Sequence, residues 1–441
     1  MLFREIAASY QSTPMDTNPF RWGSMRTNHP PIRVLVVDDS VFMRNTISTL
    51  LMKFPDVQVV GTAKNGMEAI AELRRSQPDV MTLDVDMPGM NGLDVLDYVM
   101  ANHPLPVIMI SALTNEGAEV TFQALERGAV DFIPKVGGNS HFDIETIEGQ
   151  LHDKVQEAYQ ARLGVQQAQY AEMKAISSVS VCPHREKTEA RIFNRWPGVS
   201  WGGMKRAATK KSHSQFPIVV IGSSTGGPNL LKKLVADLPG FFPASLIIIQ
   251  HMPKFFTKVF AEKLNAAAPF PIREACNGDW LEPGVGLVAP GDQHLFIGCQ
   301  ANGRAVIEIS TESGQFSYRP SVDGAMVSAA EHFGSSVVGV VVSGMGNDGV
   351  AGCQKIKEYG GTVLVQDEAS ALMYGMPRAV VAAGWADAVV SDNQLAECMI
   401  QAVEVIGEGR ALACPLGHRL SKDRIGSGEG LFKSLGGGIS C

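Results

Sequence analysis

The sequence predicts two doubly wound α/β domains in series, joined by a long connector. Three observations carry this. At 441 residues the chain exceeds what one ordinary hydrophobic core organises. Short, β-branched, almost continuously apolar runs alternate with helix-length stretches, the pattern of parallel strands buried on both faces. That rhythm starts twice, near Ile32 and again near Phe216, with an aperiodic Ser, Lys, Arg, Gly and Pro mixture between.

Residues 1–31 are polar and Pro-punctuated and read as a disordered extension, in which Met15 and Met25 leave the true start open. The first domain is expected over 32–150. Its strands are IRVLVV, DVQVVGTA, PDVMTLDV, PVIMISA and AVDFIP, with helical stretches such as VFMRNTISTLLMKF and NGMEAIAELRRS between them. Residues 151–215 read as a helical, then flexible, linker; the helical part belongs to a charged, Gln-rich stretch over 145–175. The second domain is expected over 216–408, with strands at FPIVVIG, ASLIIIQ and SSVVGVVVSG and hairpins between the second and third. Residues 409–441 read as a flexible Gly- and Ser-rich tail.

Composition removes several classes. A net charge of −7 argues against a nucleic-acid scaffold. No apolar run reaches the ~18 residues of a membrane span, and the first residues lack a signal-peptide pattern. The seven cysteines form no CxxC pair, which fits reduced thiols in cytoplasm. Cys182 with His184, and Cys414 with His418, are isolated half-sites of the kind that are incidental to zinc.

The first candidate site collects at strand ends. Asp38 and Asp39 close the first strand, Asp84 the third and Ser111 the fourth, while Lys135 follows the fifth. In a parallel doubly wound sheet these ends converge on one edge, where ligands bind. Three carboxylates there repel unless a divalent cation joins them, and oxygen ligands with room for water suit magnesium. A lysine opposite neutralises a phosphoryl group, and a serine hydroxyl can bond one of its oxygens. Helix capping accounts for any single aspartate, but not for three aspartates, a serine and a lysine together on one edge.

The second candidate site is Ser, His and Asp from three strand ends. IGSSTGGP (221–228) is a Gly-rich strand-to-helix turn. It fits the GxxxxG half of a phosphate loop, but Pro228-Asn229 stands where Lys-Ser/Thr is required. Pro228 suits a first helical turn. A serine on such a turn can be a nucleophile, with N–H groups at the helix start as its oxyanion hole. The second strand ends in Gln250-His251 and the third in Gly344-Met345-Gly346-Asn347-Asp348, supplying a base and an orienting carboxylate. The residues alone leave Ser223 and Ser224 both open. Taken singly, His251 and Asp348 also suit a hydrogen-bonded structural histidine and a turn former.

VVDDS, LDVDMPGMNGLD, SAL and the lysine after the fifth strand resemble response-regulator receiver domains, which are flavodoxin-like. The resemblance implies Asp84 as phosphoacceptor and magnesium held by Asp38, Asp39, Asp84 and the backbone carbonyl of Asp86. It implies Ser111 and Lys135 on the phosphoryl group, and Phe132 as the aromatic that moves on activation. Receivers usually carry proline directly after the lysine; here Val136 follows it and Pro134 precedes it. GSSTGG, QHMP, APGD, YRPSVD, SGMGNDG and YGMPRAV, in that order, resemble the protein-glutamate methylesterases, whose catalytic domain is Rossmann-like with a mostly parallel sheet. That motif makes Ser224 the nucleophile, His251 the base and Asp348 its partner, with oxyanion donors at the backbone of Thr225 and Met345. Arg319 and Met376 are expected to shape the substrate cleft.

The resemblance implies a phosphorylation-activated cytoplasmic hydrolase of chemosensory adaptation. It would demethylate chemoreceptor glutamate γ-methyl esters and deamidate specific receptor glutamines. Its partners would be the cytoplasmic domains of methylated chemoreceptors and a chemotaxis histidine kinase as phosphodonor. The membrane would be met only through receptors, and nucleic acid not at all. A monomer is expected, with no cofactor for ester hydrolysis. Two other readings stay open on residues alone: a non-enzymatic signalling adaptor, and an esterase acting on another methylated protein.

Overall fold

The computed structural model describes residues 30–135, 148–161, 216–300, 303–312 and 316–408. The expected N-terminal extension, the connector beyond residue 161, the tail and the Cys/His half-sites lie outside these residues. The first domain is a five-stranded parallel sheet: β1 (Ile32–Val37), β2 (Val57–Ala63), β3 (Val80–Asp84), β4 (Val107–Ser111) and β5 (Asp131–Pro134), in the order β2-β1-β3-β4-β5. Between the strands run α1 (Val41–Leu51), α2 (Gly66–Ser76), α3 (Gly92–Asn102) and α4 (Asn115–Glu126). Their starts are written in short polar residues. Asn65 caps α2, Thr114 caps α4, and Asn91 forms a reciprocal capping box with Asp94 on α3.

A fifth helix, α5 (148–161), buries Leu151, Val155 and Ala158 against Val34, Val36, Ile108, Ile110 and Ile133 of the first sheet. The expected boundary at 150 therefore falls inside a helix that belongs to the first core. Its buried apolar positions, Leu151, Val155, Ala158 and Ala161, are small or widely spaced, enough to cover a sheet face but sparse enough to read as linker.

The second domain is built on a seven-stranded, wholly parallel sheet ordered β14-β13-β12-β6-β7-β9-β8. Its strands are β6 (Ile218–Ser223), β7 (Ser245–Gln250), β8 (Ile272–Glu274), β9 (Gly286–Val288), β12 (Val337–Val341), β13 (Thr362–Gln366) and β14 (Ala388–Val390). Among the described residues only β10 (His294–Cys299) and β11 (Ala305–Ser310) form an antiparallel hairpin, whereas β8 and β9 extend the main sheet. The helices are α6 (Gly227–Ala236), α7 (Phe256–Ala267), α8 (Val322–Phe333), α9 (Val350–Glu358), α10 (Gly375–Ala382) and α11 (Leu395–Gly407). The chain leaves β6 toward β7 on one side and returns to β12 on the other. That reversal opens a crevice at the carboxyl ends of β6 and β12.

The two domains share one seam. A continuous cluster of buried side chains runs from Phe122 and Phe132 of the first to Phe256 and Phe260 of the second. Phe132 stacks on Phe256 with ring centroids 4.3 Å apart, and Phe122 on Phe260 at 5.7 Å. Ion pairs Lys232–Glu126 (2.6 Å) and Lys263–Glu119 (3.1 Å) edge the seam, and Asn229 donates to the Leu125 carbonyl at 2.8 Å.

Candidate functional site

The crevice at β6 and β12 is a tight elbow. Ser224 N–H donates to Ser343 O at 2.9 Å, tying the turn to the end of β12, and Gly227 N–H closes it on Ser224 O at 2.9 Å. Gly226 turns the chain at φ 81°, a left-handed conformation in which a side chain would also meet Ser343 Oγ at 2.7 Å. The structure separates the two serines. Ser223 is fully buried and its hydroxyl donates to Gln250 Oε1 at 2.7 Å, whereas Ser224 is half-buried at the turn. The Gln250 amide in turn donates to Ser224 O at 2.9 Å. Gln250, one residue before His251 in the sequence, is thus the strut under the elbow.

Gly344 gives the elbow its room. A Cβ there would lie 2.8 Å from Ser224 Cβ and 2.4 Å from the sulfur of Met376. Gly344→Ala is therefore expected to push Ser224 out of register. It should cost roughly 1–3 kcal/mol of stability, as overpacking does, and lower hydrolytic turnover far more than the fall in folded fraction explains. Thermal melts paired with turnover on the same samples check this; unchanged turnover would remove Gly344 from the elbow's support. Met376 is fully buried beneath this contact, so it supports the elbow rather than lining the cleft. Arg319 is exposed, with Nη1 3.4 Å from the Thr311 carbonyl.

His251 enters from the end of β7, its N–H bonded to Ser223 O at 3.0 Å. Its Nε2 lies 2.8 Å from Asp348 Oδ2, and its ring stacks on Tyr318 at 4.4 Å. A carboxylate accepts only, so Nε2 carries the ring proton and Nδ1 keeps a lone pair. Nδ1 is buried and has no hydrogen-bond partner among the described residues. Relative to the best-known serine protease triads, the two ring nitrogens have exchanged places.

Asp348 is held by four donors. Oδ2 accepts from His251 and Val322 N–H, and Oδ1 from Ser321 Oγ and Asp323 N–H. The last three sit at the start of α8, so the carboxylate caps that helix. Burial works against its charge, but His251 and the α8 donors hold its pKa below the ordinary carboxylate value. The capping is reciprocal, since Asp323 Oδ1 accepts Gly349 and Gly352 N–H at the start of α9. Burial first, and the neighbouring Asp348 charge second, push the Asp323 carboxyl up. Thr225 N–H and Met345 N–H, the expected oxyanion donors, have no acceptor among the described residues.

The strand-end acids of the first domain also come together. Carboxylate oxygens of Asp38, Asp39 and Asp84 lie within 4.8 Å of one another. Lys135 Nζ is 2.7 Å from Asp84 Oδ2 and 3.7 Å from Asp38 Oδ2. Lys135 is placed by its own N–H, which bonds to Ser111 O at 2.7 Å. Burial raises Asp84 to about 6, against the opposing pull of Lys135. One ammonium cannot balance three carboxylates, and Asp38 Oδ2 is buried without a hydrogen bond, the Lys135 ammonium being 3.7 Å away. An all-oxygen set with surplus negative charge fits a magnesium ion. Asp86 N–H bonds to Asp84 Oδ1 at 3.1 Å, fixing the turn. Ser111 Oγ is engaged by the Gly117 carbonyl at 3.0 Å, and Phe132 lies in the domain seam.

Sequence reasoning missed Gln250, Ser343, Tyr318 and Asp323. All four stand inside the family motifs, and Gln250 and Tyr318 sit directly beside a residue already singled out, His251 and Arg319.

Residues 219–399 match the CheB methylesterase family, and residues 34–143 the response regulator receiver domain family. A protein-glutamate methylesterase/protein-glutamine glutaminase of Oleidesulfovibrio alaskensis is 39% identical over 372 residues, covering 84% of this chain and 99% of the relative. Its counterpart in Pyrococcus abyssi is 38% identical over 378 residues, covering 86% and 95%. The crystal structure of the Thermotoga maritima CheB methylesterase catalytic domain is 39% identical, covers 43% of this chain and 99% of that one, and has a TM-score of 0.42.

Proposed function

Because the chain belongs to the protein-glutamate methylesterase/protein-glutamine glutaminase family, we propose that Ser224, His251 and Asp348 hydrolyse glutamate γ-methyl esters on chemoreceptors under control of Asp84. The observation that carries this reading is His251: Nε2 on Asp348 at 2.8 Å, Nδ1 buried and unpartnered, and its main-chain N–H on Ser223 O, one residue before Ser224. Ser224 Oγ attacks the ester carbonyl as Nδ1 takes its proton. Asp348 holds the ring by the other nitrogen and stabilises the imidazolium. Negative charge on the carbonyl oxygen falls to Thr225 N–H, Met345 N–H and the start of α6. Collapse expels methoxide, which leaves as methanol with the proton from His251. Water, deprotonated by the same nitrogen, then cleaves the glutamyl-enzyme to glutamate and free Ser224. Glutamine enters the same cycle with ammonia as leaving group. Asp323 is a positioning residue, since it fixes the turn that presents Asp348.

In the first domain, Asp38, Asp39, Asp84 and the Asp86 carbonyl would hold magnesium, which neutralises phosphoryl oxygens when bound. Lys135 balances the remaining charge, and the Ser111 hydroxyl, once turned from Gly117, bonds a phosphoryl oxygen. A chemotaxis histidine kinase is the phosphodonor. The domains are bounded at 30–161 and 216–408.

Methanol release from methylated receptor membranes, with and without a small-molecule phosphodonor, tests the whole reading. Release that rises with phosphodonor is expected. No methanol from membranes that an established methylesterase does demethylate would overturn it.

A further inference from the structure

The seam holds a polar cluster that the chemistry above does not use. The Thr225 hydroxyl, next to the nucleophile, is hydrogen-bonded both to Asp131 Oδ2 at the start of β5 and to Glu157 Oε2 on α5. All three residues are buried. A hydroxyl has one proton, so it can donate to only one carboxylate. Asp131 is already the anion of the group, since it accepts Lys154 Nζ and, through Oδ1, its neighbour Phe132 N–H at 2.7 Å. The Thr225 proton goes to Asp131, and the bond to Glu157 then requires a proton on Glu157 itself.

We infer that the protonated Glu157 carboxyl is a proton-operated latch, closing the first domain over the nucleophile elbow and releasing it when the proton is lost. The inference rests on reading Ser224 and Thr225 as the catalytic elbow, and it adds a regulatory input independent of Asp84. The facing charges support it. On α5 itself stand Lys154, whose ammonium is committed to Asp131, and Asp153. From β5 comes Asp131, and from the second domain the Tyr318 phenol, whose own pKa is raised, by burial first and then in part by Asp153 and Glu157. Among these groups only Lys154 is cationic. Burial first, with Lys154 opposing and Asp131 adding, pushes Glu157 from an ordinary 4.5 to about 7. A raised acid pKa means the contact is fully present at low pH and is lost as pH rises through about 7. Deprotonation leaves two carboxylates on one hydroxyl in a desolvated seam, which separation relieves.

The test uses the unphosphorylated full chain. Hydrogen exchange of main-chain amides in α4 and α7 is followed at pH 6 and 8.5, corrected for intrinsic rates. Basal methanol release is read in parallel. Wild type is expected to lose seam protection by roughly tenfold across this interval, a change in open population equivalent to one pKa unit or more of linkage. Glu157→Gln keeps a neutral hydrogen-bonding group and should stay protected at both pH values. Glu157→Ala should be unprotected at both. Equal pH dependence in wild type and Glu157→Gln, or protection in Glu157→Ala matching wild type at pH 6, would overturn the latch. Exchange needs no turnover, so pH-dependent seam opening without methanol release would leave the latch standing and sink only the esterase reading.

Discussion

Ser224→Ala is expected to lower ester turnover by roughly 10⁴- to 10⁶-fold while leaving the fold intact, as when serine hydrolases lose their nucleophile. Ser223→Ala should be mild beside it. Ser223 spends its hydroxyl on Gln250, and its loss loosens one strut rather than removing the attacking atom. His251→Ala should match Ser224→Ala, and the double variant should be little worse than either, because the pair acts as one unit. Asp348→Asn should be severe, since an amide turned to donate would favour the wrong histidine tautomer. Steady-state rates on methylated receptor membranes, with circular dichroism to check folding, decide all five. Multiplicative losses in the double variant would show that His251 works elsewhere.

The second large effect lies between the domains. Deleting residues 1–210 is expected to raise basal activity by roughly tenfold to a hundredfold, the change that about 1.4 to 2.8 kcal/mol of docking free energy produces. It should also abolish the response to a phosphodonor. The reason is the seam: the first domain reaches Thr225 directly and packs two aromatic rings beside the strand-to-helix turn that follows His251. Full-length Asp84→Asn should remain at the low rate, because nothing then biases the first domain away from its docked state. Initial rates of the three proteins on the same membranes suffice. Equal rates with and without the first domain would remove occlusion and leave localisation to receptor arrays as its task.

Much of this was legible in the sequence because α/β folds put chemistry at strand ends. Asp38, Asp39, Asp84, Ser111 and Lys135 each follow a recognisable apolar run, as do Ser224, His251 and the turn carrying Asp348. What was not legible depended on partners distant in sequence. Helix α5 reads as connector because Leu151, Val155 and Ala158 are few, and their destination on the first sheet is invisible until that sheet exists. Strands β13 and β14 are short, and β14 offers three residues, too few for periodicity to speak. The residues alone leave Ser223 and Ser224 both open, and the contact that sets Ser223 apart is with Gln250, a neutral side chain with no signature of its own. The resemblance implies Phe132 as the aromatic that moves on activation, but the ring it rests on, Phe256, belongs to the other domain.

Strand β5 has only four residues, yet it touches everything the first domain has to report. Its start, Asp131, meets Thr225 and Lys154; Phe132 faces the seam; Ile133 faces the opposite core; and the residue after its end, Lys135, holds Asp84. At ~3.3 Å per residue this is a rod of roughly 13 Å from latch to phosphoacceptor. Side chains alternate along it, so inserting or deleting one residue between Phe132 and Lys135 would change the face and reach of everything beyond it relative to Phe132. Point changes in this stretch can tune the enzyme by degrees. A single-residue insertion or deletion would instead part Lys135 from Asp84 while Phe132 keeps the seam, uncoupling acceptor from active site in one step.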